Sequence, residues 1–188
     1  RDQAILAGTA GNDTLYGGWG WETIAGGLGN DALYGGEGND TYVYQAGDGN
    51  DIISESSWNG DNDRLVLQGL NRADIDLVRV SGNQDDIVVK IRSTGETITL
   101  QGQTNGWQKG VESIVFADGT TLDWNQIRDQ AVLAGTAGDD TLYGSWASET
   151  ISGGLGNDTL YGGEGNDTHI YPTGGGDELI SWGSCDGD

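Results

Sequence analysis

One large apolar residue in each run of nine, set among glycines and short polar residues, marks two stretches of this chain. In the first stretch these positions are Leu15, Ile24, Leu33, Tyr42 and Ile53, the last displaced by a two-residue insertion at Tyr44-Gln45. In the second they are Leu142, Ile151, Leu160, His169 and Ile180, with the histidine in an otherwise apolar slot. The surrounding frame is Gly-Gly-x-Gly-x-Asp-x-U-x, where U is the apolar residue. It is clearest at Gly26-Gly27-Leu28-Gly29-Asn30-Asp31-Ala32-Leu33-Tyr34 and at Gly153-Gly154-Leu155-Gly156-Asn157-Asp158-Thr159-Leu160-Tyr161. Each unit predicts one glycine-rich turn and one short strand. Two units make a full coil, so turns n and n+2 lie over one another on one side of a solenoid.

The units start at Gly8, Gly17, Gly26, Gly35 and Ala46, and again at Gly135, Gly144, Gly153, Gly162 and Thr173. A longer repeat overlies the short one: Gly35-Gly36-Glu37-Gly38-Asn39-Asp40-Thr41 returns 127 residues later as Gly162-Gly163-Glu164-Gly165-Asn166-Asp167-Thr168. The expectation is a piece of a longer tandem protein. Between the arrays, from about Asp63 to Asp123, the glycine frame disappears and short alternating runs predict strands at 64–68, 75–80, 87–91, 97–101, 111–116 and 120–122. Asp123 and Gln126 have the spacing of a helix capping box. The expected organisation is an array over 1–60, a small β-rich domain over 61–127 and a second array over 128–188.

Charge sharpens the picture. The chain carries 30 acidic residues against 8 basic ones, a formal charge of −22. Such a balance excludes nucleic acid and anionic membranes as partners and invites cations. One cysteine and one histidine exclude an internal disulfide framework and a Cys/His zinc site. No apolar run approaches the length of a membrane span, and the polar opening Arg1-Asp2-Gln3 predicts no signal peptide.

The acids fall in one place in the frame. The sixth positions are Asp13, Glu22, Asp31, Asp40 and Asp51 in the first array, and Asp140, Glu149, Asp158, Asp167 and Glu178 in the second. Glycines at positions one, two and four let the backbone bend tightly and aim carbonyl oxygens inward. Calcium takes six to eight oxygens in loose geometry, more than one turn supplies and about what two stacked turns supply. The predicted metal ligands are therefore these ten acids, paired as Asp13 with Asp31, Glu22 with Asp40, Asp31 with Asp51, Asp140 with Asp158, Glu149 with Asp167 and Asp158 with Glu178. Ca²⁺ at these levels would offset roughly half of the formal charge. Glu149 with Asp167 is expected to be the weakest level, because Ser145 and Ala147 replace turn glycines there. A core this thin needs a staple, and metal-binding energy then becomes folding energy.

These residues resemble the repeats-in-toxin (RTX) family, the haemolysin-type calcium-binding repeats, over about 8–54 and 135–181. The resemblance implies a right-handed parallel β-roll with calcium between the turns, and export by the type I secretion machinery of a Gram-negative bacterium to the extracellular space. The middle segment, with Asp63-Arg64-Leu65-Val66-Leu67 and Phe116-Ala117-Asp118-Gly119-Thr120, is similar to the β-rich domain that follows such arrays. The fold class expected is therefore all-β, with parallel β-roll arrays flanking a small β-rich domain. The expected role is a calcium-folded structural spacer with no catalytic residues of its own. The alternatives are an accessory or targeting module of a secreted enzyme, or a segment of an adhesin or toxin that contacts a glycan or cell-surface ligand. Trp19 and Trp146 are expected to pack over a neighbouring turn, His169 to be a tolerated strand residue, and Cys185 to lie in a polar tail.

Overall fold

The structure, a computed structural model, describes residues 4–55, 61–80, 83–104, 110–145 and 148–181. The described chain is nearly all β. The first array forms β1 (Ala4–Ala7), β2 (Thr14–Gly18), β3 (Glu22–Ala25), β4 (Ala32–Gly36), β5 (Thr41–Gln45) and β6 (Asp51–Ser54). The middle segment adds β7 (Arg64–Gln68), β8 (Ile75–Val80), β9 (Asn83–Ile91), β10 (Thr97–Gln101), β11 (Ser113–Val115), β12 (Thr121–Asp123) and the helix α1 (Trp124–Gln130). The second array forms β13 (Val132–Ala134), β14 (Thr141–Tyr143), β15 (Thr150–Ser152), β16 (Thr159–Tyr161), β17 (Thr168–Ile170) and β18 (Leu179–Ser181).

Each strand occupies the last third of a nonapeptide, where Thr, Leu, Ile and Tyr favour extended backbone. The glycines before it turn the chain. Gly27 and Gly29 have φ of 93° and 127°, a region other residues enter only with strain. Consecutive strands therefore face each other across the roll, and each pairs in parallel with the strand one coil away. Thr14 sits opposite Ala32, and Thr23 opposite Thr41. The insertion in β5 is absorbed within the strand. Tyr44 points inward, and its hydroxyl donates to Gly49 O at 2.9 Å.

Two compact units form, one from the segments up to Asp76 and from Asp85 to Arg128, the other from Leu77–Gln84 and Asp129 onward. In the first unit one sheet runs β1-β3-β5-β7-β11 in parallel and closes on antiparallel β12. The facing sheet runs β2-β4-β6-β10 in parallel and closes on antiparallel β9. The middle segment thus continues the coil on both faces, and the strand order that periodicity left open is set by this stacking. In the second unit β8-β13-β15-β17 and β14-β16-β18 form the two parallel faces.

Within the arrays the core is narrow, with Ile24, Leu33, Tyr42, Tyr44 and Ile53 in the first and Leu133, Leu142, Ile151 and Leu160 in the second, while the middle segment adds a wider set that includes Leu65, Leu67, Ile87, Ile98 and Ile114. Outside, Tyr16 stacks on Tyr34 and Tyr143 on Tyr161, both with ring centroids 4.8 Å apart, the spacing of paired strands. The helix starts as its sequence predicts. Gln126 N–H donates to Asp123 Oδ1, and Asp123 N–H donates to Gln126 Oε1, both at 2.9 Å.

Candidate metal centres between the turns

The sixth-position acids form columns. Asp13 N–H donates to Asp31 Oδ1 at 2.8 Å, and Asp31 N–H to Asp51 Oδ1 at 3.0 Å. On the opposite side Glu22 N–H donates to Asp40 Oδ1, and Asp40 N–H to Asp63 Oδ1, both at 2.7 Å. The second array repeats the arrangement with Asp140 N–H to Asp158 Oδ1 at 2.9 Å and Glu149 N–H to Asp167 Oδ1 at 3.0 Å. One carboxylate oxygen of each upper residue is thereby fixed to the backbone below. The other is left to face the space between the turns. Oδ2 of Asp31, Asp40, Asp63 and Asp158 is buried without a hydrogen-bond partner.

Glycine at position one makes that space. A β-carbon on Gly8 would lie 2.0 Å from Gly26 O and 2.9 Å from Asp13 Oδ2. One on Gly135 would meet Gly153 O and Asp140 Oδ2 at the same two distances. Carbonyl and carboxylate oxygens from two turns thus converge where a side chain would otherwise stand. Oxygen donors only, buried and partly unpartnered, are what calcium takes and what a bare protein avoids leaving.

Glu22 and Glu149 accept from their own turns, as Asp13 and Asp140 do. Glu22 Oε2 accepts from Gly18 N–H at 3.2 Å, and Glu149 Oε2 accepts from Ser145 N–H at 3.2 Å. The Ser145 hydroxyl also donates to Glu149 Oε1. The longer side chain curls back onto its own turn. Glu178 takes the register of Asp51, since Leu179 pairs with Thr159 as Ile52 does with Ala32, and its Oε1 is buried without a partner. The sixth-position acids are therefore brought to common levels, with Asp13, Glu22, Asp140 and Glu149 each accepting from the amide four residues earlier in its own turn.

Four stretches, 5–33, 16–53, 132–160 and 143–168, match the family model of the RTX calcium-binding nonapeptide repeat. The two arrays are RTX calcium-binding repeats. Residues 86–126, within the segment that continues the coil, match the haemolysin-type calcium binding protein related domain. No curated protein matches the chain. The RTX repeats are calcium-binding modules, and the buried oxygens between the turns fit that ion.

Three acids at the sites lie outside the RTX frame and were not named from sequence. Asp63 extends the Glu22–Asp40 column, Glu112 Oε2 accepts from Asp63 N–H at 2.6 Å, and Glu55 reaches the same level. The signal for Asp63 was present in Asn62-Asp63-Arg64-Leu65, the second half of a nonapeptide whose glycines are missing. Glu55 and Glu112 carry no local signal. A second column runs along position five of the frame. Asn30 N–H donates to Asn12 Oδ1, and Asn50 N–H to Asn30 Oδ1, both at 2.9 Å, and Asn157 N–H does the same to Asp139 Oδ1. These bonds run opposite in sense to the aspartate column and clamp each turn to the next.

Crowding of buried carboxylates shows in their protonation. Burial, with the Asp31 charge adding to it, pushes the Asp51 carboxyl up to about 7. Burial beside Glu112 and Asp40 pushes Asp63 up to about 7, and burial beside Glu22 pushes Asp40 up to about 6. Glu55, buried next to Asp63, rises to about 9. Asp13 is held below the usual range because the Thr9 amide and hydroxyl donate to it at 2.6 and 2.8 Å.

The aromatic expectation is corrected. Trp19 is 84 % exposed and does not pack over the next turn. Trp21 takes that place, with its Cδ1 3.1 Å from where a β-carbon on Gly38 would sit. The third position of the turn points outward, whereas the fifth lies against its neighbour. Trp146, Ala147 and Cys185 lie outside the described residues. His169 sits half-buried in β17 opposite Ile151. Among the described residues no helix is long and apolar enough to cross a membrane.

Proposed function

We propose that the chain is the calcium-driven folding module of a larger secreted bacterial protein. The arrays over 1–60 and 128–188 take shape on binding Ca²⁺ outside the cell, after type I export, and the 61–127 segment closes the first array into a stiff extracellular spacer. Any catalysis by the parent protein lies elsewhere. The observation that carries this reading is the set of buried, unpartnered carboxylate oxygens at Asp31, Asp40, Asp63 and Asp158. Left ionised and unpaired, such buried groups oppose folding, and a shared divalent ion reverses the sign. Extracellular calcium modules bind at roughly 10⁻⁴ to 10⁻³ M, far above resting cytosolic levels, which keeps the arrays unfolded until export. The ligands proposed are the ten sixth-position acids, with the Glu149–Asp167 level the weakest because Ser145 and Ala147 replace turn glycines there.

Calcium titration by calorimetry, with far-UV circular dichroism followed in parallel, tests this. The β signal should rise with the binding heat and vanish in excess chelator. Asp31→Ala and Asp158→Ala, each at two levels, should lose the most bound calcium and Glu149→Ala the least. An unchanged β signal in chelator would overturn the reading.

A further inference from the structure

The end of the first roll holds a cluster that the repeat frame does not account for. Asp40, Glu55 and Asp63 are 1 %, 7 % and 0 % exposed, and each offers a carboxylate oxygen within 4.8 Å of the others. Asp40 Oδ2, Glu55 Oε2 and Asp63 Oδ2 are all buried without a hydrogen-bond partner. The Tyr42 hydroxyl donates to the other oxygen of Glu55. Gly35 leaves the room: a β-carbon there would lie 2.4 Å from Asp40 Oδ2, 2.5 Å from the Tyr42 hydroxyl and 2.6 Å from Glu55 Oε1.

We propose that Asp40, Glu55 and Asp63, with the Tyr42 hydroxyl beside them, form a closing divalent-cation site that takes Ca²⁺ and locks the last repeat turn to β7. Only Asp40 among these acids occupies the sixth position of a Gly-Gly-x-Gly-x-Asp-x-U-x unit. Glu55 comes from beyond the last unit, and Asp63 from a unit that has lost its glycines. The separation fits the ion, since oxygens about 2.4 Å from a common centre lie at most about 4.8 Å apart. Hard oxygen donors alone select calcium over softer metals. Three carboxylates converge here where the levels inside the arrays offer two, and affinity rises with ligand charge. The closing site is therefore the tightest in the chain and fills first.

The second array cannot repeat it from its own residues. At the 127-residue offset Glu55 becomes Trp182 and Tyr42 becomes His169. The identical Gly-Gly-Glu-Gly-Asn-Asp-Thr turns thus end in different chemistry. Anchoring β7 through Asp63 also explains why the acidic column ends in the middle segment, where Glu112 receives the Asp63 amide.

This inference rests on calcium binding by the repeats, and its test separates the two. Calorimetric calcium titration of the full chain is compared with that of Glu55→Gln, which keeps shape and removes one charge. The variant should lose one ion from the stoichiometry, or weaken the tightest class at least about tenfold, while the remaining binding is unchanged. Equal count and equal tightest affinity would overturn the closing site and leave the repeat sites standing, as expected if a proton holds the cluster instead. Absence of any calcium binding would overturn both. Should Glu55→Gln fail to fold, crystals of the unsubstituted chain soaked in terbium provide the second measurement. An anomalous peak between Asp40, Glu55 and Asp63 supports the site. Its absence while the Asp13–Asp31 level is occupied removes it.

Discussion

The same seven residues, Gly35–Thr41 and Gly162–Thr168, end in different surroundings. Asp40 is buried, with an oxygen that has no partner, whereas Asp167 is half-exposed. Beyond them, Ile53 is 2 % exposed and Ile180 is 37 % exposed. The reverse holds at the other ends. Leu133 is fully buried under β8, which pairs with β13, whereas Leu6 in β1 is only half-buried and Ile5 is 77 % exposed. In a solenoid each coil gains its environment from the next, so a nonapeptide does not fix its own burial. Strands of the middle segment cover the late coil of one unit and the early coil of the other.

Truncating matched leucines should break the comparison most visibly. Leu133→Ala should cost about 2–5 kcal/mol in calcium, as for a buried leucine, and Leu6→Ala less than half of that. Denaturant unfolding of both variants measures it; equal losses would mean that the covering strand does not matter.

Acid should act on the first unit more than on the second. Asp40, Asp51 and Asp63 have carboxyls raised to about 6, 7 and 7, so the folded state holds their protons more tightly than the unfolded chain does. Without calcium, their contribution to stability is fully present below about pH 4 and lost as pH rises through 6 to 7. In chelator, lowering pH from 8 to 5 should bring hydrogen-exchange protection to 32–54 and 64–67 before 150–181. Protection that rises equally in both units would contradict this assignment.

The smallest effect is expected at Trp19, which stands in solvent. Trp19→Ala should change the unfolding free energy by no more than about 0.5 kcal/mol. A larger loss would show that the ring packs against the roll after all.

The coils were legible because the physics that makes them is local. Glycine at fixed offsets sets the turn, one apolar residue fills a core one residue wide, and an acid six residues into each unit meets its copy two units on. That is why the aspartate columns, the strand positions and the capping box of α1 could be placed from residues alone. Glu55 and Glu112 could not, because nothing near them in the chain marks them; they join the site only when β7 pairs with β5 and β11 with β7.

By itself the sequence determined the repeating part: two arrays of glycine turns and short strands, strongly acidic, with oxygen donors at a regular spacing for calcium. Tertiary structure alone decided how the arrays are closed, which coils are covered, and which carboxylates are driven together without a partner. The reason is range. A repeat writes its neighbour eighteen residues away into the chain, whereas a cap is chosen by strand edges that only the folded coil exposes.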